Sequence, residues 1–246
     1  MYRYSHYRLE NTRTAVGHAT LATGGNVPEH GIAGNDWWDH GRQEEIYCIE
    51  DRDSPLVGHQ PGRKGRSPRN LESSTFGDDL VLSNNGRSRA FSVSTKDRAA
   101  VILGGHSGKA YWYSKHTGDY VTSSWYHDSN PEWLNRWNEK KSADRLDGWS
   151  WTLLQAADAY RFSDTPERSW IRPRGSLGPF FPHRLDKKQT DSFYSDLRYT
   201  PATDRLTLDV LKALAEAENI GQGEHTDYLS VSFSATDYIG HSFGPN

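Results

Sequence analysis

Apolar positions recur in helical, alternating and irregular patterns along this chain, and each pattern predicts a different kind of element. From Thr14 to Ala22 small and apolar residues dominate (Ala15, Val16, Ala19, Leu21, Ala22), and Gly24-Gly25 stops the run. This predicts a short buried helix with Thr14 or a close neighbour at its N-cap. Residues 26–35 are turn chemistry, with Pro28, Gly31 and Gly34 as punctuation, and they bring Asn35 into a loop that can return to the same helix end. Ile46-Tyr-Cys-Ile49 reads as a strand or hairpin arm. Ser67-Pro68 reads as a helix start, with Leu71, Phe76, Leu80 and Leu82 at helical spacings and Asn84-Asn85-Gly86 as the stop.

Alternation returns at Arg89–Ser94, which predicts a strand ending in Thr95-Lys96-Asp97-Arg98. Residues 110–114 and 120–124, joined around Thr117-Gly118, predict a hairpin. Trp133 and Trp137, four apart after Pro131, predict a short helix. Residues from about 144 to 199 show no period and carry scattered Trp and Pro, so an irregular, aromatic-studded segment is expected there. The strongest helical pattern follows: Leu206, Val210, Leu211, Leu214 and Ala217 form one face, Thr203 or Asp204 caps it, and Gly221 closes it. Asp227–Phe233 then alternates, with Leu229, Val231 and Phe233 on one strand face. Helix followed by strand in this form is one unit of an α/β sheet.

Composition narrows the picture in a few respects. The 246 residues allow one or two domains, and the net charge of −3, with both signs mixed, gives no nucleic-acid surface. Apolar residues make up only 34% while Trp and Tyr number 9 and 13, which fits a modest core carrying long aromatic-rich loops. The lone Cys48 excludes an internal disulfide and a cysteine-rich zinc site. No apolar run is long enough for a membrane helix, and Met1-Tyr-Arg-Tyr-Ser-His has no apolar stretch of the signal-peptide kind.

Several residues carry candidate chemistry. A hydroxyl at the start of the first helix sits among unpaired backbone N–H groups and the positive end of the dipole, a place suited to an anion. Lys96 and Arg98, two apart at a strand end, point the same way if the strand continues and can clasp one anion. Asp237 and His241 are four apart just after a strand, so one helical turn pairs a carboxylate with an imidazole, a combination that suits zinc. Arg63-Lys64-Gly65-Arg66 reads as a solvated basic loop, and Gly104–Lys109 lacks phosphate-loop spacing. His106, His116 and His127 have no ligand spacing and read as loop or packing residues.

Three stretches together resemble a known family: Thr14-Ala-Val-Gly-His-Ala through His30-Gly-Ile-Ala-Gly-Asn35-Asp-Trp, Ser94-Thr-Lys-Asp-Arg98-Ala-Ala, and Phe233-Ser-Ala-Thr-Asp237-Tyr-Ile-Gly-His241-Ser-Phe-Gly-Pro. The chain is similar to the alkaline phosphatase superfamily, within its type I phosphodiesterase and nucleotide pyrophosphatase branch, and resembles most the monomeric bacterial alkaline phosphatases that use a threonine nucleophile. The resemblance implies an α/β fold, part of an α/β/α sandwich with an inserted aromatic-rich cap. The expected organisation is a core part over residues 1–103 with nucleophile and phosphate ligands, the cap over 104–198, and a return to the core over 199–246 with the metal motif.

It further implies a phosphate monoester hydrolase acting through a phosphothreonine. Thr14 would be nucleophile and metal ligand, Asn35, Lys96 and Arg98 would bind the phosphoryl oxygens, and Asp237 and His241 would ligate zinc in a two-zinc site. The expected partners are small phosphate esters, with no nucleic acid and no membrane, and the family's usual place is periplasmic or secreted. An early metal-binding Asp has no counterpart before Thr14, and the family's later ligands have none after His241, so the chain is expected to be a piece of a longer phosphatase cut at both ends. The alternatives are a phosphodiesterase or nucleotide pyrophosphatase of the same fold, and a non-catalytic remnant that binds glycan or nucleotide through the aromatic insert.

Overall fold

The computed structural model describes residues 11–58, 64–160 and 168–244. Arg63, the segment before Asn11 and Pro245 of the last motif lie outside the described residues. The chain divides into two compact units. The first gathers the described residues up to Trp112 with Val121–Pro131 and Glu218–Ser232, and the second gathers Tyr113–Tyr120, Glu132–Ala217 and the residues from Phe233 onward.

In the first unit, α1 (Thr14–Thr23) and the single turn α2 (Val27–His30) precede a hairpin of β1 (Asp36–Asp39) and β2 (Glu44–Tyr47). Then come α3 (Phe76–Ser83), β3 (Ala90–Ser94), α4 (Asp97–Gly104) and β4 (Lys109–Tyr113). With β5 (Tyr120–Val121) and β8 (Tyr228–Ser232) the strands form a sheet in the order β5-β4-β3-β8. β3 runs parallel to both β4 and β8, with Ser94 level with Trp112 on one side and Ser232 on the other. This is the mixed α/β architecture the sequence predicts, and its central strand β3 is buried at every position.

Small side chains decide how the helices pack. Ala90 and Ser92 point to one face of β3, and Gly77 of α3 and Gly104 of α4 lie against them. A Cβ on Gly104 would come within 2.7 Å of the Ser92 hydroxyl, so only glycine allows this approach. Ser92 Oγ in turn donates to the Ala100 carbonyl of α4. The core below joins Ala15, Ala19 and Ala22 of α1 to Ile49, Leu71, Val101, Ile102, Trp112 and Tyr126.

Three element expectations are corrected. Ser67-Pro68 opens only one turn, closed by Leu71 N–H on the Pro68 carbonyl, with the Ser67 hydroxyl accepting from Arg69 N–H at 3.2 Å while it donates to buried Asp51. The helix there starts at Phe76, where Thr75 and Asp78 form a capping box. Phe76 and Leu82 are exposed, and α3 buries Gly77 and Asp78 instead. In α1, Leu21 is likewise exposed. On β8, the last strand of this sheet among the described residues, the buried residue is Ser230, while Phe233, just past its end, is exposed.

The second unit holds α5 (Glu132–Glu139), the short pair β6 (Ser150–Trp151) and β7 (His183–Arg184), α6 (Phe193–Leu197), α7 (Ala202–Ala217) and α8 (Ala235–Phe243). Between α5 and α7 the connection is largely irregular, as the loss of period predicts. Aromatic residues supply its packing. Trp137 of α5 is buried, meets Tyr120 edge to face at 5.2 Å and donates its indole N–H to Asp209 of α7. A second cluster joins Trp151, Phe181, His183 and Phe243. No described helix is long and apolar enough to cross a membrane.

Candidate active site

In the first unit, β3 ends at Ser94, and the chain turns at once into α4, with Lys96 at its N-cap and Arg98 in its first turn. The strand therefore does not continue through the two cations. They converge because one sits at a cap and the other in the following turn. Lys96 Nζ lies 3.3 Å and Arg98 Nη2 3.5 Å from Thr14 Oγ1. Lys96 is only 5% exposed, so its ammonium is held in place and not left to solvent.

Thr14 is the first residue of α1, and Arg13, the N-cap, makes no side-chain cap bond. Asn35 does the capping instead: its Oδ1 accepts from Ala15 N–H at 3.0 Å. Its carbonyl also accepts from Cys48 N–H, which ties the loop to the β1–β2 hairpin. No acidic residue stands in the first turn of α1, so the positive end of its dipole faces Thr14 unopposed. Thr14, Asn35, Lys96 and Arg98 are thus gathered at the starts of α1 and α4, at the carboxyl end of β3. Parallel sheets place ligands at that end. His18 braces the group, with Nδ1 on the Thr14 carbonyl at 2.8 Å and Nε2 3.0 Å from Ser232 Oγ of β8.

Sequence reasoning missed the residues behind the cations. Asp97 takes the Tyr47 hydroxyl at 2.6 Å on one oxygen and Arg66 Nε at 2.9 Å on the other. The Tyr47 oxygen accepts from Arg98 Nη1 at 3.3 Å, and Arg66 stacks over the Tyr47 ring at 4.9 Å. Arg66 is therefore not part of a solvated loop: its side chain is 22% exposed and is drawn in by a carboxylate it neutralises. Burial pushes the Asp97 carboxyl up, but the Arg66 charge and the hydrogen bonds from Tyr47 and Arg66 outweigh it and hold the group below the usual range. Burial, followed by the nearby Asp97 charge, holds the Tyr47 phenol well above its ordinary value. The one available signal was the alternation of charge at Lys96-Asp97-Arg98, a carboxylate between two cations that needs a cation of its own.

The histidines fall into packing roles. His106 pairs with Asp78, whose carboxyl is lowered to about 2: burial raises it, and bonds from His106, Thr75 and Ser107 overcome that. His127 meets the Tyr111 hydroxyl at 2.8 Å, and burial followed by the Lys109 charge lowers it to about 4. The Gly104–Lys109 loop holds no anion site of its own, since Asp78 occupies its Ser107 N–H.

In the second unit, Asp237 and His241 both project from the exposed side of α8, with His241 Nε2 3.7 Å from Asp237 Oδ1. Tyr238 and Ser242, on the opposite side, anchor the helix: Tyr238 accepts from Arg198, and the Ser242 carbonyl accepts from Arg172 N–H. Asp204 caps its start through Ser234 and Ala235 N–H at 2.9 and 3.1 Å. This corrects the expected capping of α7, which begins at Ala202 and leaves Asp204 within its first turn, free to serve α8. An oxygen and an imidazole nitrogen at this separation fit one zinc, whose ligand atoms, each about 2 Å from the metal, lie roughly 3–4 Å apart. They are a partial set: among the described residues no cluster of three or more His, Cys, Asp or Glu side chains exists.

Residues 2–246 match the family described as type I phosphodiesterase / nucleotide pyrophosphatase. The chain is 37% identical over 237 residues to alkaline phosphatase PhoV of Synechococcus elongatus, covering 96% of this chain and 43% of that protein. It is 37% identical over 238 residues to alkaline phosphatase PafA of Elizabethkingia meningoseptica, covering 96% and 44%. The crystal structure of wild-type PafA superposes with a TM-score of 0.91 at 36% identity, over 98% of this chain and 47% of that one. The chain thus spans less than half the length of the relatives it matches. It belongs to the type I phosphodiesterase / nucleotide pyrophosphatase family.

Proposed function

We propose that this chain carries the nucleophile and the phosphate-binding half of a zinc-dependent phosphate monoester hydrolase. The observation that carries the reading is the convergence of Lys96 and Arg98 on the Thr14 hydroxyl at the start of α1. In this reading Thr14 Oγ1 attacks phosphorus in line, a new O–P bond forms, and the ester oxygen departs. Water then cleaves the phosphothreonine and restores the hydroxyl. Lys96, Arg98 and the Asn35 amide N–H bonds neutralise the non-bridging oxygens as charge builds on them. Because Asn35 Oδ1 accepts from Ala15 N–H, the amide nitrogen is the end that can donate to a phosphoryl oxygen. The helix dipole and the two cations also favour the alkoxide form of Thr14.

Asp237 and His241 would hold zinc, and zinc when bound supplies Lewis-acid stabilisation of negative oxygen. Charge favours monoesters. A monoester dianion presents three non-bridging oxygens, whereas a diester has one of these esterified and carries a single charge. Two cations and an amide match the dianion. The family's usual setting makes a periplasmic or secreted location the expectation.

The test compares an aryl phosphate monoester with an aryl phosphate diester, in the presence of zinc, for the unaltered chain and for Lys96→Ala/Arg98→Ala. A far larger loss on the monoester supports the reading. Equal losses point to diester chemistry. Binding of a glycan or nucleotide that does not depend on Thr14, with no turnover, would leave only a binding role.

A further inference from the structure

Arg98 follows Asp97 in the sequence, and a guanidinium beside a carboxylate ordinarily folds back onto it. Here the Asp97 oxygens are already taken, one by the Tyr47 hydroxyl and the Arg98 backbone N–H, the other by Arg66 Nε. The Arg98 side chain meets the Tyr47 oxygen through Nη1 at 3.3 Å, and its Nη2 lies 3.5 Å from Thr14 Oγ1. We infer that Tyr47, held by Asp97 and Arg66, is a positioning residue that aims the Arg98 guanidinium at the phosphoryl oxygens of the substrate. The inference rests on the phosphate-binding role proposed for Arg98.

Two consequences follow from the charges and the hydrogen-bond directions. Arg66 meets the Asp97 carboxylate, so the charge of Asp97 is offset without drawing on the Arg98 side chain. The Tyr47 hydroxyl has one proton, which goes to Asp97, so its lone pairs face Arg98 and accept from it. Replacing that oxygen removes the acceptor without changing the charge. The β1–β2 hairpin carries Tyr47 level with Asp36, the neighbour of Asn35, so one hairpin sets both an amide donor and the support of an arginine.

The experiment is a double-mutant cycle read by calorimetric titration of inorganic phosphate into the chain. Its members are the unaltered chain, Tyr47→Phe, Arg98→Ala and the double variant, with thermal melts confirming that each is folded. A hydrogen bond to a charged group is worth about 1.5–3 kcal/mol, so Tyr47→Phe should weaken phosphate binding roughly 10- to 100-fold. In the Arg98→Ala background the same change should cost about two-fold or less, because the residue acts only through Arg98. Asp97→Asn, which keeps the shape but loses the charge that holds Arg66, should show the same dependence on Arg98. Equal cost of Tyr47→Phe in both backgrounds, or no cost in either, overturns the inference and leaves the Arg98 role standing. An Arg98→Ala variant that binds phosphate as well as the unaltered chain removes that role and the inference together.

Discussion

The two groups of candidate residues are built in opposite ways. Thr14, Asn35, Lys96 and Arg98 lie partly or wholly buried at two helix starts, and each is fixed by a contact from a different element. Asp237 and His241 sit on the solvent side of one helix, paired only because helical geometry puts residues four apart together. In the proposed reading the first group is an anion site whose cations and amide converge on one hydroxyl. The second is two donors of the right kind, which gain a strong hold on a metal only when further ligands join them. The proposed reading gives phosphate recognition to the first group and metal binding to the second, so each is tested by its own substitutions.

The largest effect should come from the anion site. Lys96→Ala/Arg98→Ala removes both cations, and at 10²–10³ per preorganised donor the proposed monoester turnover should fall by roughly 10⁴- to 10⁶-fold. Zinc affinity, measured by titration, should not change, and a parallel fall would end the separation argued here. Next is Trp137→Ala, which empties a buried aromatic site in the second unit and should cost about 3–5 kcal/mol in denaturant unfolding.

A smaller effect is expected of Asp237→Asn/His241→Ala, which should reduce an already weak zinc affinity by about ten-fold or more while leaving phosphate binding in metal-free buffer intact. Tight, near-stoichiometric zinc in the unaltered chain would contradict the partial-site description. The smallest effect concerns His127. Its folded pKa of about 4 lies below the ordinary 6.5, so the unfolded chain takes up a proton first as pH falls. The contribution is fully present above about pH 6.5 and is lost between there and about pH 4. His127→Gln should flatten that part of the stability profile of the first unit, as followed by urea melts at stepped pH.

Local features were readable where one residue's neighbours in sequence are also its neighbours in space. The helical face of Leu206, Val210 and Leu214, the aromatic pair Trp133 and Trp137, and the Asp237–His241 spacing all lie within a turn or two, and each appears as a helix with the expected buried or paired side. The Asn35 loop returns to the first helix because Pro and Gly turns over a short span leave it few other paths. Where the reading failed, a distant partner had intervened. Arg66 leaves solvent because Asp97, 31 residues further along the chain, draws it in.

By itself the sequence determined the α/β alternation, the helix that starts at Thr14, the pairing of Asp237 with His241 and the family resemblance carried by its motifs. Those depend on backbone period, on residue type and on order along the chain. Tertiary structure alone decided that Lys96 and Arg98 meet Thr14 across more than eighty residues, that Asn35 caps a helix it does not belong to, and that Tyr47, Arg66 and Asp97 stand behind Arg98. Parallel strands bring their carboxyl ends side by side whatever their separation in sequence, so the chemistry of such a site is assembled from residues whose spacing along the chain says nothing of their distance in space.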